Sequence, residues 1–389
     1  MFHVGLDVHL RKIVMCILDA YGKVYKEASF SDVKALLAVL GALPQELAVC
    51  YEASCGYGAL YDRLKRLTNV RRIEVAHPGQ LRLIFRSKRK NDRVDARKLA
   101  MLLFLDQVPQ VHVPVQDVRD WRAAIEFRRA QVDRRTAIKN QLRALLRTHG
   151  EAGPYRKALW TKSGRAWLEA FELPTPLARL QRTVLLSELD GVGGQIQALE
   201  KELNAIGRKH AGVCLLRTIP GVGPRTSEAF VAYVDEVKRF GRSKQVGSYF
   251  GLVPSQDQSG ASNRLGHITR QGPATVRKLL TEAAWQGVQR SPEIRARFER
   301  IAAKDAGRRK IALVATAHWL VRVMFSMLRS GETSRFTRFE KPESGKKRKA
   351  KEPKTTAVSP PAASQTAASQ TAASQTAASQ PAASQPAAA

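Results

Sequence analysis

Three short runs rich in apolar and β-branched residues, 2–8, 12–18 and 23–28, follow one another at the start of the chain, the last two joined by Asp19-Ala20-Tyr21-Gly22. Runs this short and this close, separated by turn-forming residues, pair as a three-strand antiparallel meander. Helix and strand patterns then alternate. A helical stretch near Val33–Leu43 leads to the apolar run Leu47-Ala48-Val49-Cys50-Tyr51, a second helix lies around Tyr57–Leu67, and Arg72–Ala76 reads as a further strand. After Lys90-Asn91 comes a helix whose first turn carries Asp92 and Asp95, as the positive end of a helix dipole favours. The order β-β-β-α-β-α-β-α predicts an α/β domain over residues 1–106.

Four acids stand out in that frame. Asp7 interrupts the apolar alternation of Val4, Leu6 and Val8, and a carboxylate placed there is costly unless a cation compensates it. Glu52 follows the apolar run of the fourth strand directly and precedes the small-residue turn Ala53-Ser54-Cys55-Gly56. Asp92 and Asp95, three apart, share one helical face. Four converging carboxylates repel one another unless hard divalent cations hold them, and two Mg²⁺ or Mn²⁺ ions bridging a phosphate is a known way to catalyse in-line phosphoryl transfer. Taken singly, each acid has a structural role available: a turn cap, an arginine partner or a helix-terminal charge.

The partner is read from charge. With 65 Lys+Arg against 34 Asp+Glu the net charge is +31, and runs such as Arg86-Ser87-Lys88-Arg89-Lys90, Arg134-Arg135 and Arg308-Arg309-Lys310 spread along the chain. Such a distribution matches phosphate neutralisation over an extended surface, so nucleic acid is favoured and a membrane is not. Cys16, Cys50, Cys55 and Cys214 show no C-x-x-C pair or zinc spacing and read as small buried hydrophobes. Met1-Phe2-His3-Val4 opens directly on a strand, and the expected location is the cytoplasm.

Beyond the first domain, apolar residues recur at helical spacing from Asp117 to about Thr148 and from Pro176 to about Lys209, with Leu185, Leu186, Leu189, Ile196, Leu199 and Leu203 as a seam. This predicts a long antiparallel helical arm or a coiled coil over residues 107–213, with an ordinary bundle as the alternative because Gly191, Gly193 and Gly194 interrupt the seam. A mostly α-helical C-terminal unit, 214–335, follows. Its Pro220-Gly221-Val222-Gly223-Pro224-Arg225 turn introduces a helix and suits a phosphate at the helix N-terminus, in the manner of a helix-hairpin-helix motif. The stretch Ser255–Ser262 reads as a polar loop, followed by Arg264, His267, Arg270 and Arg277 as nucleic-acid contacts. Residues 342–389, Lys-rich and then built of Ala, Ser, Gln, Thr and Pro, read as a disordered tail.

Strands then helices with acids in the order Asp, Glu, Asp, Asp resemble the RuvC/RNase H-like fold. More narrowly, Val4-Gly5-Leu6-Asp7-Val8-His9, the segment Tyr51 to Gly58 and Lys90-Asn91-Asp92-Arg93-Val94-Asp95-Ala96 resemble the N-terminal domain of IS110-type transposases. The resemblance departs at Asn91, where that family more often has Thr. The segment with Ser259-Gly260, Arg264, Gly272, Arg277 and Ala283-Ala284-Trp285 is similar to the family's C-terminal transposase domain. Composition alone leaves Ser255, Ser259 and Ser262 equivalent; the resemblance selects Ser259 as nucleophile. It further implies a metal set of Asp7, Glu52, Asp92 and Asp95, donor and target DNA, a noncoding guide RNA, and a homo-oligomer, dimer or tetramer, with composite active sites. Competing readings are a RuvC-like structure-selective endonuclease acting by metal-dependent hydrolysis, and a non-catalytic nucleic-acid scaffold.

Overall fold

The computed structural model describes residues 1–54, 56–84, 91–154, 158–260 and 262–339. The basic run 86–90, Cys55 and the tail 342–389 lie outside the described residues. Strands β1 (Phe2–His9), β2 (Lys12–Leu18) and β3 (Val24–Phe30) form the meander, followed by α1 (Val33–Gly41), β4 (Leu47–Glu52), α2 (Tyr57–Leu64), β5 (Val70–Ala76), α3 (Pro78–Ile84) and α4 (Asp92–Phe104). The sheet runs β3-β2-β1-β4-β5, antiparallel through the meander and parallel from β1 to β4 to β5. This mixed α/β arrangement is the one expected from the alternation.

Two-residue periodicity gives the sheet two buried faces. Val4, Leu6, Ile13, Met15, Ile17, Val49 and Tyr51 pack under Leu36, Leu40, Leu60 and Leu64 of α1 and α2. On the opposite face Val14, Cys16 and Leu18 meet Ala96 and Ala100, while Ala48 and Cys50 meet Leu99, Leu102 and Leu103. Helix α4 therefore lies across the central strands, and the face carrying Asp7 and Glu52 is its face.

The long helices appear where the spacing puts them, as α5 (Gln116–Thr148) and α7 (Pro176–Lys209), with the short α6 (Lys162–Ala170) between. Arg128 pairs with Glu200 and Arg134 with Glu188, so the two run antiparallel. The seam is consumed within the chain: Ile138, Leu142 and Leu146 pack on Leu185, Leu186, Val192 and Ile196. Gly191, Gly193 and Gly194 do not break α7, although Gly costs about 1 kcal/mol relative to Ala inside a helix. Burial of the seam on both sides of them holds the helix through.

The remaining helices are α8 (Ala211–Leu216), α9 (Pro224–Val234), α10 (Ser243–Tyr249), α11 (Ala274–Arg290), α12 (Pro292–Ala302) and α13 (Arg309–Ser330). Among the described residues α13 alone has the length and apolarity to cross a membrane, but its Ala317, Leu320, Val321, Met324 and Phe325 are buried in the C-terminal helical core. Two expectations change here. Ser255–Ser262 is not a loop: β6 (Pro254–Ser259) and β7 (Ser262–Ile268) form an antiparallel hairpin, exposed in every described residue but Ile268. With no apolar face, its strands carry no burial signal in the sequence. Cys214, expected buried, is exposed, its thiol against the carbonyls of Gly207 and Arg208; Cys16 and Cys50 are buried as expected.

Candidate active site

The first two acids are placed by register. In the parallel β1–β4 pair Gly5 faces Cys50 and Leu6 faces Tyr51, so the next position sets Asp7 beside Glu52 at the C-terminal ends of both strands. The pleat sends Leu6 and Tyr51 into one core and leaves Gly5 and Asp7 toward α4.

Gly5 determines how near that helix comes. A Cβ there would lie 2.1 Å from the carbonyl oxygen of Ala96 and 2.4 Å from the amide nitrogen of Ala100, both backbone atoms. Glycine thus lets α4 settle directly on β1, which brings the first turn of α4, with Asp92 and Asp95, to the end of β1. That turn is capped by Asn91, whose side chain accepts the Arg93 amide at 3.0 Å. A side-chain oxygen is what the cap needs, and Asn supplies it as Thr would.

At this junction His9 Nε2 lies 3.1 Å from Asp7 Oδ2 and 3.9 Å from Asp92 Oδ1. One ligand atom each from Asp7, His9 and Asp92 falls within 4.8 Å of the others. Lys12 Nζ stands 3.1 Å from the second oxygen of Asp92, and Lys98 Nζ 3.1 Å from Asp95. The Asp7 side chain is 14% exposed. Burial pushes its carboxyl above the usual range, the charges of Asp92 and Asp95 push the same way, and His9 opposes them by charge and hydrogen bond. A half-buried carboxylate beside two further acids is a site short of positive charge. Two hard oxygen donors and an imidazole at this spacing fit a divalent cation.

The structure thus brings together Asp7 and Asp92, with Asp95 near enough to act on Asp7. Glu52 is set beside Asp7 by the strand register, but its carboxylate is not among the atoms converging within 4.8 Å. His9 was not singled out from the sequence. Its one signal is the two-residue offset from Asp7, which puts both side chains on the same face of β1.

The C-terminal candidates are dispersed. Ser259 sits at the exposed tip of the hairpin, in register with Ser262 and on the same face as Asp257 and Arg264. His267 is exposed on β7 and Arg270 adopts a positive φ of 56° just after it. Arg277 is turned inward, donating to the carbonyls of Phe250 at 3.1 Å and Gln271 at 2.7 Å, and so holds the base of the hairpin. Gly221, at φ +95°, has the Gly287 amide 2.4 Å from where a Cβ would be, so it serves the close packing of a turn against α11. Gly223 at the start of α9 has open space before it. Arg225 is largely buried and engaged by Asn204 and Glu228, 2.9 Å away, where burial pushes the Glu228 carboxyl up to about 7. As placed, that guanidinium faces protein.

Known proteins match the chain in two separate segments. The DEDD-type IS110 transposase family model matches residues 4–150, and the model described as the IS116/IS110/IS902 transposase family matches residues 213–299. A putative transposase of Sinorhizobium fredii is 28% identical over 291 residues, covering 72% of this chain and 70% of the relative. The transposase for insertion sequence element IS1111A of Coxiella burnetii is 28% identical over 295 residues, covering 72% of this chain and 76% of the relative. A probable family 20 transposase of Pseudomonas aeruginosa is 30% identical over 208 residues, 50% of this chain and 59% of the relative. With a DEDD-type N-terminal match, a C-terminal transposase match and curated transposases as relatives, the chain belongs to the IS110-type transposases, enzymes that cut and rejoin DNA.

Proposed function

We propose that this transposase recombines DNA through two cooperating groups, the acids Asp7, Glu52, Asp92 and Asp95 of a RuvC-like domain over residues 1–106 and Ser259 of a C-terminal domain over residues 214–335. The convergence of Asp7, His9 and Asp92 at the end of β1 carries the reading. Held there, two Mg²⁺ or Mn²⁺ ions would supply Lewis acidity and charge neutralisation at the phosphate. The chain's own part is to desolvate Asp7 under α4, to fix Asp92 and Asp95 on one capped helical turn, and to balance them with Lys12 and Lys98. In the cleavage step Ser259 Oγ attacks the phosphorus, a serine–phosphate bond forms, and the bond to the leaving deoxyribose oxygen breaks. The serine proton ends on that leaving oxygen, and reversal with a new strand rejoins DNA.

Ser259 is on an exposed hairpin, and among the described residues the group able to hold a metal, Asp7, His9 and Asp92, lies at the end of β1 and not on that hairpin. A site completed by the serine of a second copy, in a dimer or tetramer joined by the helical arm of residues 107–213, accounts for both positions. The seam of the arm is closed by α5 on α7 within one chain, so the contact between copies would use its outer, charged faces; the Pro220–Pro224 turn acting as a helix-hairpin-helix is part of the same proposal. So is a noncoding RNA that pairs with donor and target DNA: the dispersed charge of +31 suits backbone binding, and pairing would carry the sequence.

The test is to purify the complex, sequence its RNA, and incubate it with donor and target DNA and Mg²⁺. A discrete RNA and a covalent protein–DNA adduct are expected, with the adduct absent in Ser259→Ala. An adduct that persists in Ser259→Ala refutes the serine step, and Mg²⁺-dependent cleavage with no adduct at all makes the enzyme a hydrolytic nuclease.

A further inference from the structure

Trp285, one of the residues that carry the C-terminal resemblance, has no part in the chemistry above. It projects from α11 into an open cleft of about 600 Å³ bounded by α12 and the start of α13. Trp285 is 38% exposed, and its ring stands edge-on to Phe298, centroids 6.3 Å apart at 74°. Phe298 and Leu313 line the same cleft. Its rim is basic: the Arg309 guanidinium lies 5.6 Å from the Phe298 ring centroid, Lys310 is beside it, and Arg308 precedes the helix. The first turn of the 22-residue α13 carries no acid, so its amide dipoles add to that charge. Glu282 is the one carboxylate in the lining.

A flat aromatic face over an apolar wall, edged by Arg309 and Lys310 with Arg308 next in the chain, suits a planar aromatic group joined to phosphate. In an enzyme that works on DNA, that group is a base. A paired base has both faces covered by its neighbours in the stack, so only an unpaired one can lie on Trp285. We propose that this cleft binds one unpaired base of a DNA strand, stacked on Trp285, with the adjoining phosphates on Arg308, Arg309 and Lys310. Base–aromatic stacking supplies the affinity and the cations follow the backbone. Glu282 accepts a hydrogen bond from an exocyclic amine, which favours adenine, cytosine or guanine over thymine. The inference uses DNA as the substrate of the family and does not depend on Ser259 or on the metal.

The experiment is fluorescence anisotropy of the full chain with a labelled single-stranded oligodeoxynucleotide, its duplex and the RNA of the same sequence, across a salt series. Trp285→Leu keeps an apolar side chain against Phe298 and removes the stacking face. It is expected to weaken single-stranded DNA binding about tenfold while leaving duplex affinity and the salt slope unchanged. Lys310→Gln is expected to reduce the magnitude of the slope by about one unit. Should the leucine variant not fold, as judged by its thermal melt, Trp285→Phe is expected to give a smaller but strand-selective loss. Unchanged single-strand binding, an equal loss on duplex, or a loss confined to RNA would each overturn the proposal.

Discussion

Asp7→Asn removes metal-dependent strand cleavage, by about a thousandfold or more, while DNA binding in a gel-shift assay stays within about twofold of the parent. A metal site contributes several kcal/mol of charge stabilisation in the transition state, and each ~1.4 kcal/mol is a factor of ten in rate. Binding survives because it rests on cations spread over the whole chain. The fold should not suffer. Asn has the same shape, and Asp7 is a group whose carboxyl is raised by burial and by Asp92 and Asp95. An acid raised in the folded state favours folding fully only below its unfolded value, and that contribution is lost as pH rises through the folded value. At neutral pH with a chelator present, Asp7→Asn is therefore expected to melt at or above the temperature of the parent. A variant that loses cleavage and melts lower would show Asp7 holding the fold through its contact with His9 rather than serving chemistry.

The second large effect comes from a residue with no functional group. Gly5→Val sets side-chain carbon where the backbone of α4 now runs, 2.1 Å from Ala96 O and 2.4 Å from Ala100 N. Backbone cannot rotate away as a side chain can, so α4 must lift from β1, at a cost of about 3 kcal/mol or more. Lifting α4 carries Asp92 and Asp95 off Asp7, and cleavage should fall together with the melting temperature. Gly191→Ala is the internal control, since a Cβ there meets nothing within 4 Å and activity and melting temperature should be kept or rise slightly. Equal tolerance at both positions would mean that α4 does not hold the acids in place.

The two outcomes bear on what could be read from residues alone. The meander, the alternation after it and the two long helices were legible because each buries a face, and burial writes a period of two or of 3.6 into the sequence. Asp7 and Glu52 stand out in the sequence for the converse reason, as charges at the ends of apolar strands, and the structure brings Asp7 to Asp92 while leaving the Glu52 carboxylate outside that group. The hairpin of Pro254–Ile268 buries no face of its own, so polar strands there look like a loop. The inward turn of Arg225 rests on Asn204 of the distant α7 as well as on Glu228, a pairing of segments that no local pattern records. His9 was hidden by its own ambiguity: a histidine at the exposed end of a strand acquires meaning only once α4 lays Asp92 near it.

Anomalous diffraction from crystals equilibrated with Mn²⁺ shows directly whether these acids hold the catalytic cation. An anomalous peak is expected about 2 Å from carboxylate oxygens of both Asp7 and Asp92, on the β1 side of the first turn of α4, and is expected to be lost in Asp7→Asn. Saturating Mn²⁺ that leaves no peak there, with Lys12 still paired to Asp92 and His9 to Asp7, would contradict it.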